Sequence, residues 1–162
     1  MVRIRPARTD EAPAVFELLG ELWRETYEPL IGRDRVASLH ERWHAPELLA
    51  RQMVAAPASF LVAEFETGQI VGHAYASAFR PPVLFVVRLY VQREQQKQGI
   101  GSALLARLAV LHPDATTTRL FVIKGNLGAL AFYRRHGFAV TGEAEEDGVV
   151  SLRLDRAGPG RA

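Results

Sequence analysis

The stretch that most constrains the fold is residues 89–102, LYVQREQQKQGIGS. It begins in an apolar run, passes through a polar segment and reaches Gly99 and Gly101 just before an amphipathic run over 102–111. This order predicts a strand, a loop and a helix, with the glycines at the helix N-terminus. A helix start offers unpaired N–H groups and partial positive charge, and glycine lets an anion approach the backbone. We therefore predict a pyrophosphate site, with a plain glycine-rich turn as the alternative.

Two common phosphate-binding motifs do not fit this loop. The dinucleotide fingerprint needs a third glycine where Leu104 stands, and the Gly-Lys-Ser/Thr of the P-loop does not occur. Residues 96–101, QKQGIG, match the pattern Q/R-x-x-G-x-G/A instead, directly after a strand that ends in Leu-Tyr-Val. This pattern resembles the acetyl-CoA-binding motif of the GNAT family of N-acetyltransferases.

A second block, residues 124–138 (KGNLGALAFYRRHGF), follows a short apolar run, 120–123. Asn126 can cap a helix that runs to about His136, and Gly137 can end it in a left-handed conformation. The arrangement N-x-x-A-x-x-F-Y-x-x-x-G-F resembles another conserved block of the same family. The two blocks occur in the family's order.

The resemblance implies an α/β fold of the GNAT type, a mixed central sheet flanked by helices in the order β-α-α-β-β-β-α-β-α-β-β. We expect a single domain over residues 1–156 and a flexible tail over 157–162. The resemblance also implies that the central strand and the strand after it splay apart, and that the pantetheine arm of acetyl-CoA enters there. The residues it assigns to cofactor binding are Leu89, Tyr90, Val91, Gln96, Lys97, Gln98, Gly99, Ile100, Gly101, Ser102, Asn126 and Tyr133.

Tyr133 aligns with the family's usual general acid. A phenol with a pKa of about 10 is protonated at pH 7 and can donate to a departing thiolate, whose conjugate acid has a pKa of about 8.5. The structural alternative is a core tyrosine beside Phe132. Asn126 aligns with a position that contacts the pantetheine arm, and it can cap the helix as well.

The general base is harder to predict. Many relatives carry an acidic residue in the central strand, but here Arg88 is the only charged residue of VLFVVRLYV. Glu64, Glu28 or His73 could act through water, or the amine could arrive neutral. We rank His73 first as the catalytic base because its ordinary pKa of about 6.5 suits proton transfer. A structural histidine is the alternative.

The first helical region is expected to face the acceptor. In the resembled family the first helices line the acceptor site, which makes Trp23, Tyr27 and Glu28 substrate-binding candidates; packing and solvation are the alternative. The segment 23–32 is predicted to be a helix end and a mobile connection. Glutamates at 17, 21 and 25 share one helix face, which is either an acidic wall for a cationic amine or a solvated surface.

Composition narrows the chemistry further. The chain has 162 residues and a net charge of only +2, which argues against nucleic-acid binding. It has no cysteine, so a thiolate metal site and a cysteine acyl-enzyme are excluded, and direct transfer is favoured. We expect no metal. No apolar run approaches the roughly 20 residues of a membrane span, and the N-terminus lacks a signal peptide, so we expect a cytoplasmic protein.

Three functions remain open. The first is an N-acetyltransferase that acts on a primary amine of a small molecule or a protein. The second is the same scaffold with another donor, such as succinyl-CoA. The third is an acyl-CoA-binding sensor or interaction domain without catalysis, against which the presence of both Asn126 and Tyr133 speaks. Dimers are frequent in the resembled family, which favours a homodimer.

Overall fold

The computed structural model describes residues 1–158, which form one seven-stranded sheet with helices on both faces. The strand order is β1-β2-β3-β4-β5-β7-β6. Only β4 and β5 run parallel, and the other neighbours pair antiparallel. In chain order the elements are β1 (Val2–Pro6), α1 (Ala12–Ile31), α2 (Arg33–His44), α3 (Pro46–Met53), β2 (Ala58–Phe65), β3 (Ile70–Arg80), β4 (Val83–Val91), α4 (Ile100–Leu111), β5 (Thr117–Ile123), α5 (Leu127–Arg135), β6 (Ala139–Glu146) and β7 (Val149–Ala157).

This architecture confirms the predicted fold class with one addition. Three helices, rather than two, lie between β1 and β2, because Pro46 opens a separate helix α3. The predicted mobile connection over 23–32 is wrong. Helix α1 continues to Ile31, and Pro29 lies inside it. The buried positions Leu19, Trp23 and Tyr27 recur every fourth residue, so the inward stripe simply extends for two more turns.

The two faces of the sheet are covered by different helices. Leu104, Leu105 and Leu108 of α4 pack on one face, over a core that includes Val86 and Leu120. On the other face, helices α1 and α3 cover Phe60, Val62 and Tyr75. The small residues of β3, Ala74 and Ala76, lie on the α4 side, as expected for close packing beneath a helix.

Strand β4 occupies the predicted residues and carries an irregularity at its centre. Tyr75 pairs with Arg88, whereas the next residue, Ala76, pairs with Val86, so Val87 is an extra residue in β4. A bulge of this kind reverses which face the following side chains occupy. Arg88 therefore lies on the α1–α3 face of the sheet, although Val86 lies on the α4 face.

The parallel pair opens just at this bulge. Residues 83–86 of β4 pair with 117–120 of β5, and no pairing follows, although β4 continues to Val91 and β5 to Ile123. The predicted splay is thus confirmed. It leaves a gap at the carboxyl ends of both strands.

The C-terminal boundary differs from the predicted one. Ala157 is the last residue of β7, and the N–H of Gly158 donates to the carbonyl of Thr116 at 2.7 Å. The rest of the predicted tail, residues 159–162, lies outside the described residues. None of the helices formed by residues 1–158 has the length and apolar character needed to cross a bilayer.

Candidate active site

A cleft of about 760 Å³ occupies the gap between β4 and β5. One wall is the end of β4 and the other is β5 with helix α5, while α1 closes one side and the glycine loop lies at one end. The residues predicted to bind the cofactor that line it are Leu89, Tyr90, Val91, Gln96, Lys97, Gly99, Gly101, Ser102, Asn126 and Tyr133. The fold therefore gathers both sequence blocks around one cavity.

The glycine loop presents a row of free backbone donors to this cleft. Gly99 is the N-cap of α4 with φ of +84°, and Lys97 also has a positive φ of 62°. Within residues 1–158, the N–H groups of 97–102 have no protein acceptor; the first paired amide is that of Ala103, which donates to the Gly99 carbonyl. Unpaired amides at a helix N-terminus are suited to an anion.

The two glycines serve different purposes. A Cβ at Gly99 would meet nothing within 4 Å, so this position leaves open space above the backbone donors. A Cβ at Gly101 would lie 3.3 Å from Cζ of Phe132 on α5. Gly101 thus permits close packing of α4 on α5, whereas we predicted that it would admit an anion.

Side chains around the loop are partly engaged in local contacts. The Gln96 amide donates to the Val91 carbonyl at 3.0 Å, and that of Gln98 donates to the Glu94 carbonyl at 3.3 Å. Gln98 and Ile100 do not line the cleft; Ile100 is buried in the α4 core. These contacts hold the two side chains against the loop, whose backbone N–H groups stay free.

Two cleft residues escaped the sequence prediction. His136 Nδ1 donates to the Phe132 carbonyl at 2.8 Å, which leaves Nε2 to accept from the Ser102 hydroxyl at 2.9 Å. Arg135 is exposed beside it and joins Arg93 and Lys97 on the cleft wall. Only the packing of α5 beside α4 brings these two residues to the glycine loop, so no local sequence signal could have revealed them.

Tyr133 is buried on the inner face of α5, against the rings of Phe132 and Phe138. Its hydroxyl has no hydrogen-bond partner within residues 1–158. Burial, with the nearby phenol of Tyr27, raises the pKa of Tyr133, so it stays protonated at neutral pH. A lone protonated hydroxyl on the wall of a cleft is a proton donor without a protein acceptor.

Asn126 caps α5, as predicted, and also reaches across the cleft. Its Oδ1 accepts the Ala129 N–H at 3.2 Å, and its Nδ2 donates to the Tyr27 hydroxyl at 3.3 Å. The Tyr27 hydroxyl lies 3.3 Å from that of Tyr90 on β4. Trp23 packs edge-on against Tyr27, and its buried Nε1 has no hydrogen-bond partner within residues 1–158.

The structure contradicts the catalytic role predicted for His73. This side chain has no exposed surface and lies on the face covered by α1 and α3, outside the cleft. Its Nε2 accepts from Nε of Arg88 at 3.1 Å, and its Nδ1 donates to the Leu61 carbonyl at 3.0 Å. Burial and the Arg88 cation hold the pKa of His73 well below its usual value, so it is a neutral core residue.

The other candidate bases, Glu64 and Glu28, also lie outside the cleft. Glu64 is bound by Arg3 and Arg5 of β1, and its pKa is lowered to about 2 by these hydrogen bonds. Glu28 and Trp23 do not line the cleft, although Tyr27 does. Of the predicted acidic face, Glu25 lines the cleft, while Glu17 and Glu21 are exposed to solvent.

A second opening lies next to the cleft, where α1 meets α2 and the β6–β7 turn approaches. This groove has a volume of about 1100 Å³. Ile123 and Lys124 line it, so it begins where the cleft-lining part of β5 ends. No group of three or more potential metal ligands was found within residues 1–158.

Fold and site together define an acyl-CoA-dependent transferase: a splayed parallel pair, a loop of free amides at one end of the gap and a tyrosine at its wall. Comparison with known proteins gives the family. Residues 13–138 match the model of the Acetyltransferase (GNAT) family. The chain therefore belongs to the GNAT family, as predicted.

The chain aligns with known relatives over nearly its whole length. It is 26% identical to the uncharacterized N-acetyltransferase YuaI of Bacillus subtilis, over 99% of this chain and 92% of YuaI. It is 29% identical to the peptidyl-lysine N-acetyltransferase YjaB of Salmonella typhimurium, over 91% of this chain and 90% of YjaB. Its fold resembles that of PaiA N-acetyltransferase from Thermoplasma acidophilum in complex with coenzyme A. The TM-score is 0.84 at 20% identity, covering 97% and 99% of the two chains. The protein is an N-acetyltransferase with acetyl-CoA as its acyl donor.

Proposed function

We propose that the cleft between β4 and β5 binds acetyl-CoA with its pyrophosphate on the N–H groups of residues 97–102. The observation that carries this proposal is the run of consecutive backbone donors without protein acceptors at the start of α4. A hydrogen bond to a charged group contributes about 1.5–3 kcal/mol, so a few of these donors suffice for tight binding. Arg93, Lys97 and Arg135 add positive charge at the same end.

The pantetheine arm would lie along β4. Beyond Val86, this strand has lost its partner β5, so its backbone groups face the gap. An extended chain that enters a sheet gap can pair with such groups as an added strand would. Leu89, Tyr90 and Val91 are the residues placed to do this, with Asn126 opposite them on the cap of α5.

Tyr133 is proposed as the general acid. Acetyl-CoA supplies a thioester, an acetyl group on a good leaving group. The Tyr133 hydroxyl would donate its proton to the sulfur as the carbon–nitrogen bond forms and the carbon–sulfur bond breaks. The proton that the amine nitrogen loses would restore the phenol, directly or through water. Burial keeps that proton in place, and none of the residues 1–158 accepts a hydrogen bond from it. The chain has no cysteine, so the acetyl group would pass directly to the acceptor.

The acceptor would enter from the side of α1 and the adjoining groove. Tyr27 lines the cleft and packs in a cluster with Leu39 and Val149, which line the groove. In this arrangement the acceptor amine would attack in its neutral form, because Glu25 is the only carboxylate on the described cleft wall and it is solvent-exposed. The acceptor is a primary amine of a small molecule or of a protein; the peptidyl-lysine activity named for YjaB supports a protein acceptor as one candidate.

The first experiment is isothermal titration with acetyl-CoA, free CoA and succinyl-CoA, followed by a thiol-release assay over an amine panel. Acetyl-CoA binding together with thiol release on one class of amines would support the proposal. Binding without release on any amine or peptide would favour the sensor function, and a preference for succinyl-CoA would point to another donor. Absence of binding would contradict the assignment of the cleft.

Three further proposals concern the domain organisation, the oligomeric state and the location of the protein. We propose one catalytic domain, a homodimer in solution and a location in the cytoplasm. Multi-angle light scattering tests the oligomeric state, and limited proteolysis tests whether any stable fragment shorter than the domain exists.

A further inference from the structure

The hydroxyl groups at the acceptor side of the cleft form a chain whose direction can be deduced. Asn126 is oriented by its cap: because Oδ1 accepts from Ala129, Nδ2 must be the atom that donates to the Tyr27 hydroxyl. The Tyr27 oxygen is therefore an acceptor at that contact, and its own proton must go elsewhere.

The proton of Tyr27 has one destination. Tyr27 is only 4% exposed, and its hydroxyl has two partners within residues 1–158, Asn126 and Tyr90. The Asn126 Nδ2 cannot accept, and a buried O–H without an acceptor is costly. Tyr27 therefore donates to the Tyr90 oxygen.

Tyr90 is then left with a proton that no group within residues 1–158 accepts. Two other polar groups of residues 1–158 affect the pKa of Tyr90: Trp23 Nε1, which is a donor only, and the Tyr133 phenol, which forms no hydrogen bond with Tyr90. Tyr90 keeps some exposed surface and lines the cleft. Its hydroxyl proton is consequently available to a ligand oxygen in the cleft.

The position of Tyr90 decides what that ligand is. Arg88 and Tyr90 alternate on the β4 face that is covered by α1, because the bulge at Val87 turned both side chains to that side. The glycine loop and α4 lie on the opposite face. The Tyr90 hydroxyl thus points to the acceptor side and lies near enough to Tyr133 for the two phenols to interact electrostatically.

We infer that Tyr90 is a specificity-determining residue, which donates a hydrogen bond to a carbonyl or carboxylate oxygen close to the acceptor's amine. The acceptor class is therefore an α-amino carbonyl compound, such as an amino acid, its amide or a peptide N-terminus, and a plain alkylamine or a lysine side chain is disfavoured. This inference rests on the proposed function. Tyr27 and Asn126 act through Tyr90 and are positioning residues.

Charge in the adjoining groove agrees with this class. Its lining carries Arg33, Arg35, Arg42 and Lys124 against Asp34 and Asp147. Arg42 is paired with Asp147, and Lys124 with Glu143 at 2.9 Å. The first turn of α2 therefore contributes two arginines against one aspartate, which favours an acceptor that bears a partial or full negative charge beside its amine.

The test uses acceptor pairs that differ only by the carboxamide group, which carries the carbonyl: L-leucinamide with 3-methylbutylamine, and L-phenylalaninamide with 2-phenylethylamine. Thiol release is measured at saturating acetyl-CoA for wild type, Tyr90→Phe and Asn126→Asp. Aspartate keeps the cap but accepts from Tyr27, which reverses the chain and draws the Tyr90 proton away from the cleft. Each acceptor is compared with itself across variants, so the different basicities of the amines cancel.

We expect both variants to lose about tenfold more in kcat/KM on the amides than on the matching alkylamines, the factor supplied by about one neutral hydrogen bond. Tyr75→Phe is the matched control, because Tyr75 is a buried tyrosine of β3 outside the cleft; its rates should be unchanged. Thermal unfolding and titration with CoA check that all variants are folded and bind the cofactor.

Two outcomes would overturn the inference alone: unchanged rates in Tyr90→Phe, or an equal loss on both members of a pair, which would place the hydrogen bond on the transferred group. Lack of turnover by the wild type on every amine would refute the proposed function, and the inference with it.

Discussion

Replacing Gly99 by alanine should separate backbone strain from loss of the pyrophosphate site. Gly99 has φ of +84°, where a residue with a Cβ is disfavoured by about 1–2 kcal/mol. Because no heavy atom lies within 4 Å of the new methyl group, strain is the whole folding cost. For a chain of this length we expect the melting temperature to fall by about 2–8 °C.

The binding cost comes from the position of the methyl group. It would project from the loop whose N–H groups have no protein acceptor, into the space proposed for the pyrophosphate. Loss of one hydrogen bond to a charged group, about 1.5–3 kcal/mol, raises the Kd for CoA by about 10- to 150-fold. Isothermal titration with CoA measures this directly.

Two other glycines provide matched controls. Gly68, in the β2–β3 turn, has φ of +86° and the same open surroundings, so Gly68→Ala should reproduce the loss of stability without any change in CoA affinity. In Gly101→Ala, the higher helix propensity of alanine favours the folded state by about 0.8–1.0 kcal/mol. The new Cβ would lie 3.3 Å from Phe132, which opposes this gain. The Kd for CoA should stay within about threefold of the wild-type value. If Gly99→Ala and Gly68→Ala showed the same CoA affinity, the pyrophosphate could not lie at this loop.

Further predictions concern single side chains. Tyr133→Phe should lower kcat by about 10²- to 10⁴-fold while the Kd for CoA stays constant; retained turnover would show that Tyr133 is not the acid. His73→Gln should leave the pH–rate profile unchanged, since His73 has no exposed surface. The pKa of His73 is lowered in the folded state, so below pH 6.5 only the unfolded state takes up the proton and the free energy of unfolding decreases. The variant lacks this group, so its melting temperature should fall less between pH 6.5 and 5. Glu64, with its pKa lowered to about 2 by Arg5 and Arg3, stabilises the fold above about pH 4.5 and ceases to do so as the pH falls towards 2. Glu64→Gln should flatten the acid side of a melting-temperature curve, and an unchanged curve would show that these arginines do not hold the carboxylate in solution.

The local elements were largely readable from the sequence, because their signals are local. The apolar run of β4 is bounded by Pro82 and the polar loop, and its predicted residues agree with the structure. The N-cap at Asn126 formed as predicted. Helix capping, glycine conformation and hydrophobic periodicity each depend on a few neighbouring residues, so a short stretch of sequence is enough to predict them.

The prediction for His73 was wrong because its environment depends on tertiary packing. In the sequence, His73, Tyr75 and Ser77 alternate along an apolar run, a pattern that predicts a strand face directed to solvent or to a cleft. In the structure, α1 and α3 cover His73 and Tyr75. His73 is then satisfied by Arg88, which reaches that face only because β4 contains an extra residue at Val87. A bulge of one residue leaves no mark in an apolar run, yet it reverses the direction of every later side chain.

The sequence by itself determined the family, since two short motifs with fixed internal spacing carry it. The same motifs predicted the cofactor loop and Tyr133 as the general acid. Only the tertiary structure decided which groups surround the part of the cleft that we propose for the acceptor. Asn126, Tyr27 and Tyr90 come from α5's cap, α1 and β4, separated by up to 99 residues, and their hydrogen-bond direction follows from a helix cap. Such long-range convergence is set by how helices pack on a splayed sheet, a property that no single segment of the chain contains.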